Sequence, residues 1–279
     1  MRVWLAMLCV CGASALVSPA RAEDQASQAS PQPAAPVPDR LTLTANGSTL
    51  SAASGGSGAS LAWLHYIRSA GMIGLGVEHQ SIADASWQFA SVNGAFTRKN
   101  AAGRTLSIDA VIQRGSGHEA GRAFSYSVTA AGVTDAVTDR VSLRVQSRQI
   151  DVDRTNGNLV ELGFSYLWNT RFSTNVAYAR SVSGNLGTEL VSTRTDYYAQ
   201  HFRVLFGGAF GEAAPSVVNL QPGFPTPGGS SFRQVFGGLS KPLERGELLA
   251  VADYLELSGS ERVTLTISYT IPLGRGSNR

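Results

Sequence analysis

Residues 262–273 read RVTLTISYTIPL, and their order decides the fold. Val263, Leu265, Ile267, Tyr269, Ile271 and Leu273 alternate with Arg262, Thr264, Thr266, Ser268 and Thr270. Side chains of a strand point to opposite faces in turn, so one face here is apolar and the other polar. A helix would scatter both sets around its circumference.

The same texture runs back through the chain as far as Arg40. Leu106, Ile108, Ala110 and Ile112 alternate with Ser107, Asp109 and Val111. Val141, Leu143 and Val145 alternate with Arg140, Ser142, Arg144 and Gln146. Val160, Leu162, Phe164, Tyr166 and Trp168 alternate with Glu161, Gly163 and Ser165. Phe202, Val204, Phe206 and Phe210 share a parity, with Arg203 on the other. Segments of this kind, about ten residues long and separated by Gly, Asn, Asp and Ser, are the pattern of a transmembrane antiparallel up-and-down β-barrel. The expected strands are 40–50, 60–69, 72–81, 86–98, 103–114, 121–133, 138–150, 157–168, 171–182, 188–198, 201–211, 231–242, 247–257 and 261–273.

Fourteen strands is the expected number. Single-chain outer-membrane barrels have an even number of strands, short periplasmic turns and longer outer loops. With a periplasmic N-terminus, fourteen strands put the longest connection, 212–230, outside the cell. They make Trp168 to Arg171 a tight periplasmic turn. A twelve-stranded barrel is the alternative if 40–50 and 188–198 stay unpaired. Trp63, Trp87, Tyr166, Trp168, Tyr197, Tyr198 and Tyr254 are expected near strand ends, where Trp and Tyr favour the membrane interface.

The N-terminus reads as an export signal. Arg2 is followed by an apolar run from Val3 to Leu16, short of the roughly 20 residues of a spanning helix. Ala20 and Ala22 then offer small residues to a signal peptidase, predicting cleavage before Glu23. Cys9 and Cys11 both lie in the segment 1–22, so a chain cleaved there has no thiol for a disulfide, zinc site or nucleophile. Removing it also takes Arg2 and Arg21, leaving 257 residues of net charge +1, which gives no reason to expect nucleic acid as a partner. Residues 23–39 carry Pro31, Pro33, Pro36 and Pro38 among Ala and Ser and read as an extended, flexible lead-in. The barrel is expected over 40–273 and a short tail over 274–279.

Three stretches carry a family resemblance: GRAFSYSVTAAGVTDAVTDRVSLRVQSRQIDVDRTNGNLVELGFSYLW (121–168), ELVSTRTDYYAQHFRVLFGGAFGEA (189–213) and GGLSKPLERGELLAVADYLELSGSERVTLTISYTIPL (237–273). Together they resemble the central hairpins, the strand–turn–strand unit and the closing strands of YaiO-type outer-membrane barrels. The resemblance implies a barrel in the outer membrane of a Gram-negative cell. It also implies lipid and the barrel-assembly machinery as partners, and a connection with export of surface polysaccharide. It brings no established chemistry. The closing strand departs from the usual aromatic C-terminus, because Gly274 to Arg279 follow Leu273.

Two constellations could carry function. Arg140, Arg144 and Arg148 share one parity, opposite the apolar set, so they line the lumen if Val141, Leu143 and Val145 face lipid. Guanidinium groups in a row could guide an anionic solute or sugar acid. The alternative is that they pair with inward acids such as Asp109 and Glu161 and fill a polar interior. Arg104 and Arg203 extend the same lining. Second, His79 and Ser81 share a strand face with Ile73, Leu75 and Val77. Outer-membrane phospholipases resemble this arrangement, with His as base, Ser as nucleophile and Asn as orienter. The orienter is the missing piece: Gln88 is the expected cross-strand neighbour of His79, and Asn93 lies about 16 Å down the strand.

No metal is expected, since His65, His79, His118 and His201 have no ligand spacing, and no cofactor motif is present. Gly-rich stretches at 54–58 and 228–230 read as loops. The leading expectation is a non-enzymatic pore or accessory in export across the outer membrane. A lipid hydrolase using His79 and Ser81 and a structural barrel with a filled lumen are the alternatives.

Overall fold

The computed structural model describes residues 38–50, 53–67, 71–82, 85–119, 121–152, 155–213, 230–257 and 260–274. The expected signal, the lead-in as far as residue 37, the connection 214–229 and the tail from 275 lie outside the described residues. Among the described residues there are fourteen strands and no helix. They are β1 (Asp39–Leu50), β2 (Ala53–Ile67), β3 (Gly71–Ile82), β4 (Ala85–Lys99), β5 (Thr105–Glu119), β6 (Arg122–Ala136) and β7 (Val141–Val152). The second half is β8 (Thr155–Asn169), β9 (Phe172–Gly184), β10 (Glu189–Tyr198), β11 (Arg203–Ala213), β12 (Ser230–Leu243), β13 (Gly246–Leu257) and β14 (Ser260–Leu273).

Each strand pairs antiparallel with its neighbours in sequence, and β1 closes on β14. The closing register runs from Asp39 opposite Leu273 to Leu50 opposite Arg262. The twelve-strand alternative therefore fails: β1 is the strand that closes the barrel, and β10 is paired on both sides. Both described chain ends lie at one mouth of the barrel, called here the near end; the opposite mouth is the far end.

The direction of burial settles which face is which. On β14, Val263, Leu265 and Ile267 are about half exposed (51%, 53% and 48%), whereas Arg262, Thr264 and Thr266 are 2%, 4% and 6% exposed. On this strand apolar groups are outside and polar groups inside, the reverse of a water-soluble protein and the arrangement suited to a wall in hydrocarbon. Leu43, Leu75, Val92, Ile112, Val145, Leu162, Phe206 and Val235 continue the outer apolar band. An aromatic fringe marks the near end of the outer face. Tyr166 and Trp168 meet edge to face at 4.8 Å, and Trp168 Nε1 donates to Thr174 Oγ1.

Two expected girdle residues face the lumen, and Tyr254 lies on the outer face toward the far end. Trp87 is buried and faces the lumen, because it stands opposite Gln80 and Gly117 in the inward rows of β3 and β5. Tyr198 also faces inward, with Arg203 stacked over its ring at 5.0 Å. Strand ends supply both faces, so position along a strand alone does not choose one.

The Gly-rich stretch 54–58 is not a loop but part of β2, which begins seven residues before its expected start. Here the missing side chains serve the interior. A Cβ on Gly58 would come within 2.1 Å of Gln80 Oε1, so the inward Gln80 occupies the space that Gly58 leaves. Gly115 and Gly117 do the same on β5. A Cβ on Gly115 would lie 2.2 Å from the Gln88 carbonyl oxygen and 2.5 Å from Phe89 Cβ. Backbone cannot step aside as a side-chain tip can. Gly115→Ala is therefore expected to cost about 1–3 kcal/mol, read as a lower midpoint for urea unfolding in detergent.

Candidate functional site in the lumen

The inward rows of the fourteen strands make one lining, and its character changes along the axis. Along β6, β7 and β14, inward residues near the near end are half-buried (Thr134, Ser142, Ser268, Thr270). Toward the far end they become buried (Val128, Ile150, Arg262). The far half carries an apolar cluster of Ala85, Trp87, Phe89, Phe124, Tyr126, Val128, Ile150, Val152 and Leu186. Its members come from β4, β6 and β7, together with Leu186 from the β9–β10 connection. The Phe89 and Tyr126 rings lie 5.8 Å apart, and the Tyr126 hydroxyl donates to Gln113 Oε1. These side chains make one side of the inner wall apolar in the far half, a surface that gives water no hydrogen-bond partners.

The arginine row is where parity places it, but its members differ in partners. Arg144 forms a bidentate pair with Asp109, Nη1 to Oδ1 at 2.7 Å and Nη2 to Oδ2 at 2.8 Å, and Nη1 also reaches Thr134 Oγ1 at 3.0 Å. Asp109 and Arg144 sit on strands two apart. They meet across Gly132, whose absent Cβ would lie 2.8 Å from Arg144 Nη2. Arg148 is buried and donates to Gln146 Oε1 at 3.2 Å. Arg140 lies in the near-end turn before β7, exposed. Glu161 faces inward opposite Gln146 and makes no ion pair among the described residues. So Asp109 takes the pairing role expected of it and Glu161 does not.

Arg203 belongs to a separate cluster that the sequence reading did not assemble. Asp196 is buried and accepts from two guanidiniums: Arg203 Nη2 and Nε at 2.5 and 2.9 Å, and Arg194 Nε and Nη2 at 3.0 Å each. Two cations on one carboxylate leave the near-end wall locally positive. Arg104 stays in the β4–β5 turn, donating to the Val137 carbonyl and 3.9 Å from Asp139, away from the row. A further pair, Arg262 and Asp253, is buried on β14 and β13. Arg262 was legible as the polar end of the β14 alternation. Asp253 was hidden, because ELLAVADYLEL is apolar on both parities.

His79 and Ser81 lie on the outer face, and the register sets His79 opposite Gln88 and Ser81 opposite Ser86. Asn93 faces the lumen, in contact range of Gly74, so it is on the wrong side of the wall to orient His79. Ser81 turns to β2, with its hydroxyl 3.4 Å from Ser57 Oγ. No hydrogen bond joins His79 to Ser81 or to Gln88 among the described residues, so no relay is assembled. No group of three His, Cys, Asp or Glu that could hold a metal occurs among the described residues.

No family model and no curated protein matches the sequence. Solved structures do resemble the fold. The CymD monoaromatic hydrocarbon channel superimposes with a TM-score of 0.61 at 11% identity, covering 86% of this chain and 90% of that one. A deltaS2S3 mutant of the monoaromatic hydrocarbon channel TodX gives 0.56 at 10% identity, covering 85% and 91%. A Pseudomonas aeruginosa FadL homologue gives 0.54 at 10%, again covering 85% and 91%. At such identities the likeness is one of architecture: the chain is a closed, antiparallel fourteen-stranded barrel of the kind built by outer-membrane channels.

Proposed function

We propose that the chain is a non-enzymatic outer-membrane barrel that passes small solutes through a lumen narrowed at its far, outward half. The observation that carries this is the inverted burial of the wall, with Val263, Leu265 and Ile267 outside, while hydroxyls, amides and ion pairs share the inside with apolar side chains such as Leu159, Leu205 and Leu255. A wall with an apolar outer face suits lipid, and its inward polar groups support passage of a solute. Described solved barrels of this architecture are channels for monoaromatic hydrocarbons, which supports the passage of small molecules. The expected export signal at 1–22 supports the location, with the near end in the periplasm.

Export of a surface polysaccharide, implied by the likeness to YaiO-type barrels, is the second reading. The hydroxyl-rich inner faces of β14 and β1 favour it, since Thr42 bonds Thr270 and Thr44 bonds Ser268 in a form suited to sugars. Flux into reconstituted vesicles tests the first reading. Small solutes such as arabinose are expected to enter faster than into protein-free vesicles, and tetrasaccharides no faster. Equal entry with and without protein would replace passage by a filled structural barrel. Loss of surface polysaccharide on deletion, with vesicle flux absent, would select the export role.

A further inference from the structure

The wall of β13 and β14 holds a guanidinium with nothing to bond. The Arg262 side chain is 1% exposed, and its Nε, Nη1 and Nη2 have no hydrogen-bond partner. Its nearest opposite charge is Asp253, with Oδ1 3.9 Å from Nη2, beyond hydrogen-bond length. Asp253 Oδ1 is itself without a partner, while Oδ2 accepts from Gln234 Nε2 at 2.5 Å. On the same inward row, Thr264 and Thr266 are buried with hydroxyls that bond nothing. Leu255, opposite Arg262, is buried too.

Five N–H donors of a guanidinium normally find acceptors, and a buried cation without them is among the costliest arrangements a protein holds. Here two kinds of donor, a guanidinium and two hydroxyls, stand together in the far half of the barrel, and the one free acceptor beside them, Asp253 Oδ1, is too far to bond Arg262. We propose that Arg262, with Thr264, is a binding site for a small monovalent carboxylate moving through the lumen. The planar fork of Arg262 matches the two oxygens of a carboxylate, and the Thr264 hydroxyl supplies a further donor. Leu255 offers apolar contact to the body of an aromatic or short aliphatic acid.

Charge sets the valence. Arg262 and Asp253 sum to zero, so a monoanion adds one buried negative charge and a dianion such as phosphate adds two beside a carboxylate. Below the site, Thr266, Ser268 and Thr270 continue the row toward the near end, giving a released carboxylate successive hydroxyl donors. This site rests on the passage reading and names its solute class. Binding is measured in detergent, without any membrane, so its failure and the failure of vesicle flux are separate results.

The test is calorimetric titration of the refolded full-length chain with sodium benzoate, benzamide and inorganic phosphate. Benzoate is expected to bind saturably, and benzamide and phosphate at least about tenfold more weakly. Arg262→Gln should abolish benzoate binding, and Asp253→Asn should tighten it several-fold by removing the competing carboxylate. If Arg262→Gln loses the heat-modifiable gel mobility of a folded barrel, Thr264→Val serves instead, with weakened benzoate binding expected. No saturable benzoate binding by the wild type, equal binding by a folded Arg262→Gln variant, or phosphate binding as tight as benzoate would each overturn the proposal.

Discussion

Cutting Trp87 and Phe89 back to alanine opens the reconstituted barrel, raising its single-channel conductance several-fold above the wild type. Both rings face the lumen in its far half and belong to the cluster with Phe124, Tyr126 and Ile150. On the neighbouring strand Gly115 and Gly117 carry no side chain; Phe89 Cβ closes on the first and the Phe124 ring covers the second, so aromatic residues fill this part of the interior. Removing two aromatic side chains from a close-packed cluster leaves a cavity that its neighbours close only in part. In a lumen continuous with solvent, that cavity admits water and ions. Phe96→Ala, on the outer face, is the control and should leave conductance unchanged. A folded Trp87→Ala, Phe89→Ala double variant that conducts no better than wild type would show that the cluster is not what narrows the passage.

Asp196→Ala should be the most destabilising single change in the near half, costing about 3–5 kcal/mol in urea unfolding from lipid vesicles. The carboxylate is buried and accepts from Arg194 and Arg203 at once. Its loss leaves two neighbouring guanidiniums, both largely withdrawn from water, repelling each other. The damage should be partly reversed by removing one of the cations: Arg194→Met in the Asp196→Ala background is expected to regain stability that it does not supply alone. Purely additive losses in that cycle would mean the three side chains do not act as a unit.

The strands were legible because an apolar outer wall imposes a rule on every second residue. RVTLTISYTIPL, VSLRV and LVELGFSYLW announce their outer faces by parity alone, and observed bounds mostly differ by one to three residues. The start of β2 was not legible, since SGGSGA has no apolar parity to read; it is a strand because both neighbours hydrogen-bond to it. Parity also placed Arg144 and Arg148 inside. It could not name their partners, because Arg144 reaches Asp109 over an intervening strand and only the gap at Gly132 permits it. The apolar cluster was missed for a similar reason. In SWQFASV alternation sets Trp87 and Phe89 against Ser86 and Gln88, but here the large apolar parity faces inward, the reverse of the sense that lipid imposes on the other strands. His79 and Ser81 were placed on their face and against their cross-strand neighbours, but shared parity does not make a catalytic relay.

The pairing of β1 with β14 sets the order in which this molecule can be made. Thr42 and Thr270, bonded at 3.0 Å, are 228 residues apart in the chain, so the first strand waits for the last before its outer edge is covered. Until then two long rows of unpaired backbone donors and acceptors face the environment, a template for aggregation in water and an intolerable surface in hydrocarbon. Closure over so long a span is slow, because loop entropy is lost before any contact at the seam is gained. A chain shortened by its final strand would therefore not be a smaller barrel but an open sheet with two sticky edges. Completion of synthesis becomes a checkpoint written into the seam, because the free edge of β1 is covered only when Ser268 and Thr270 arrive.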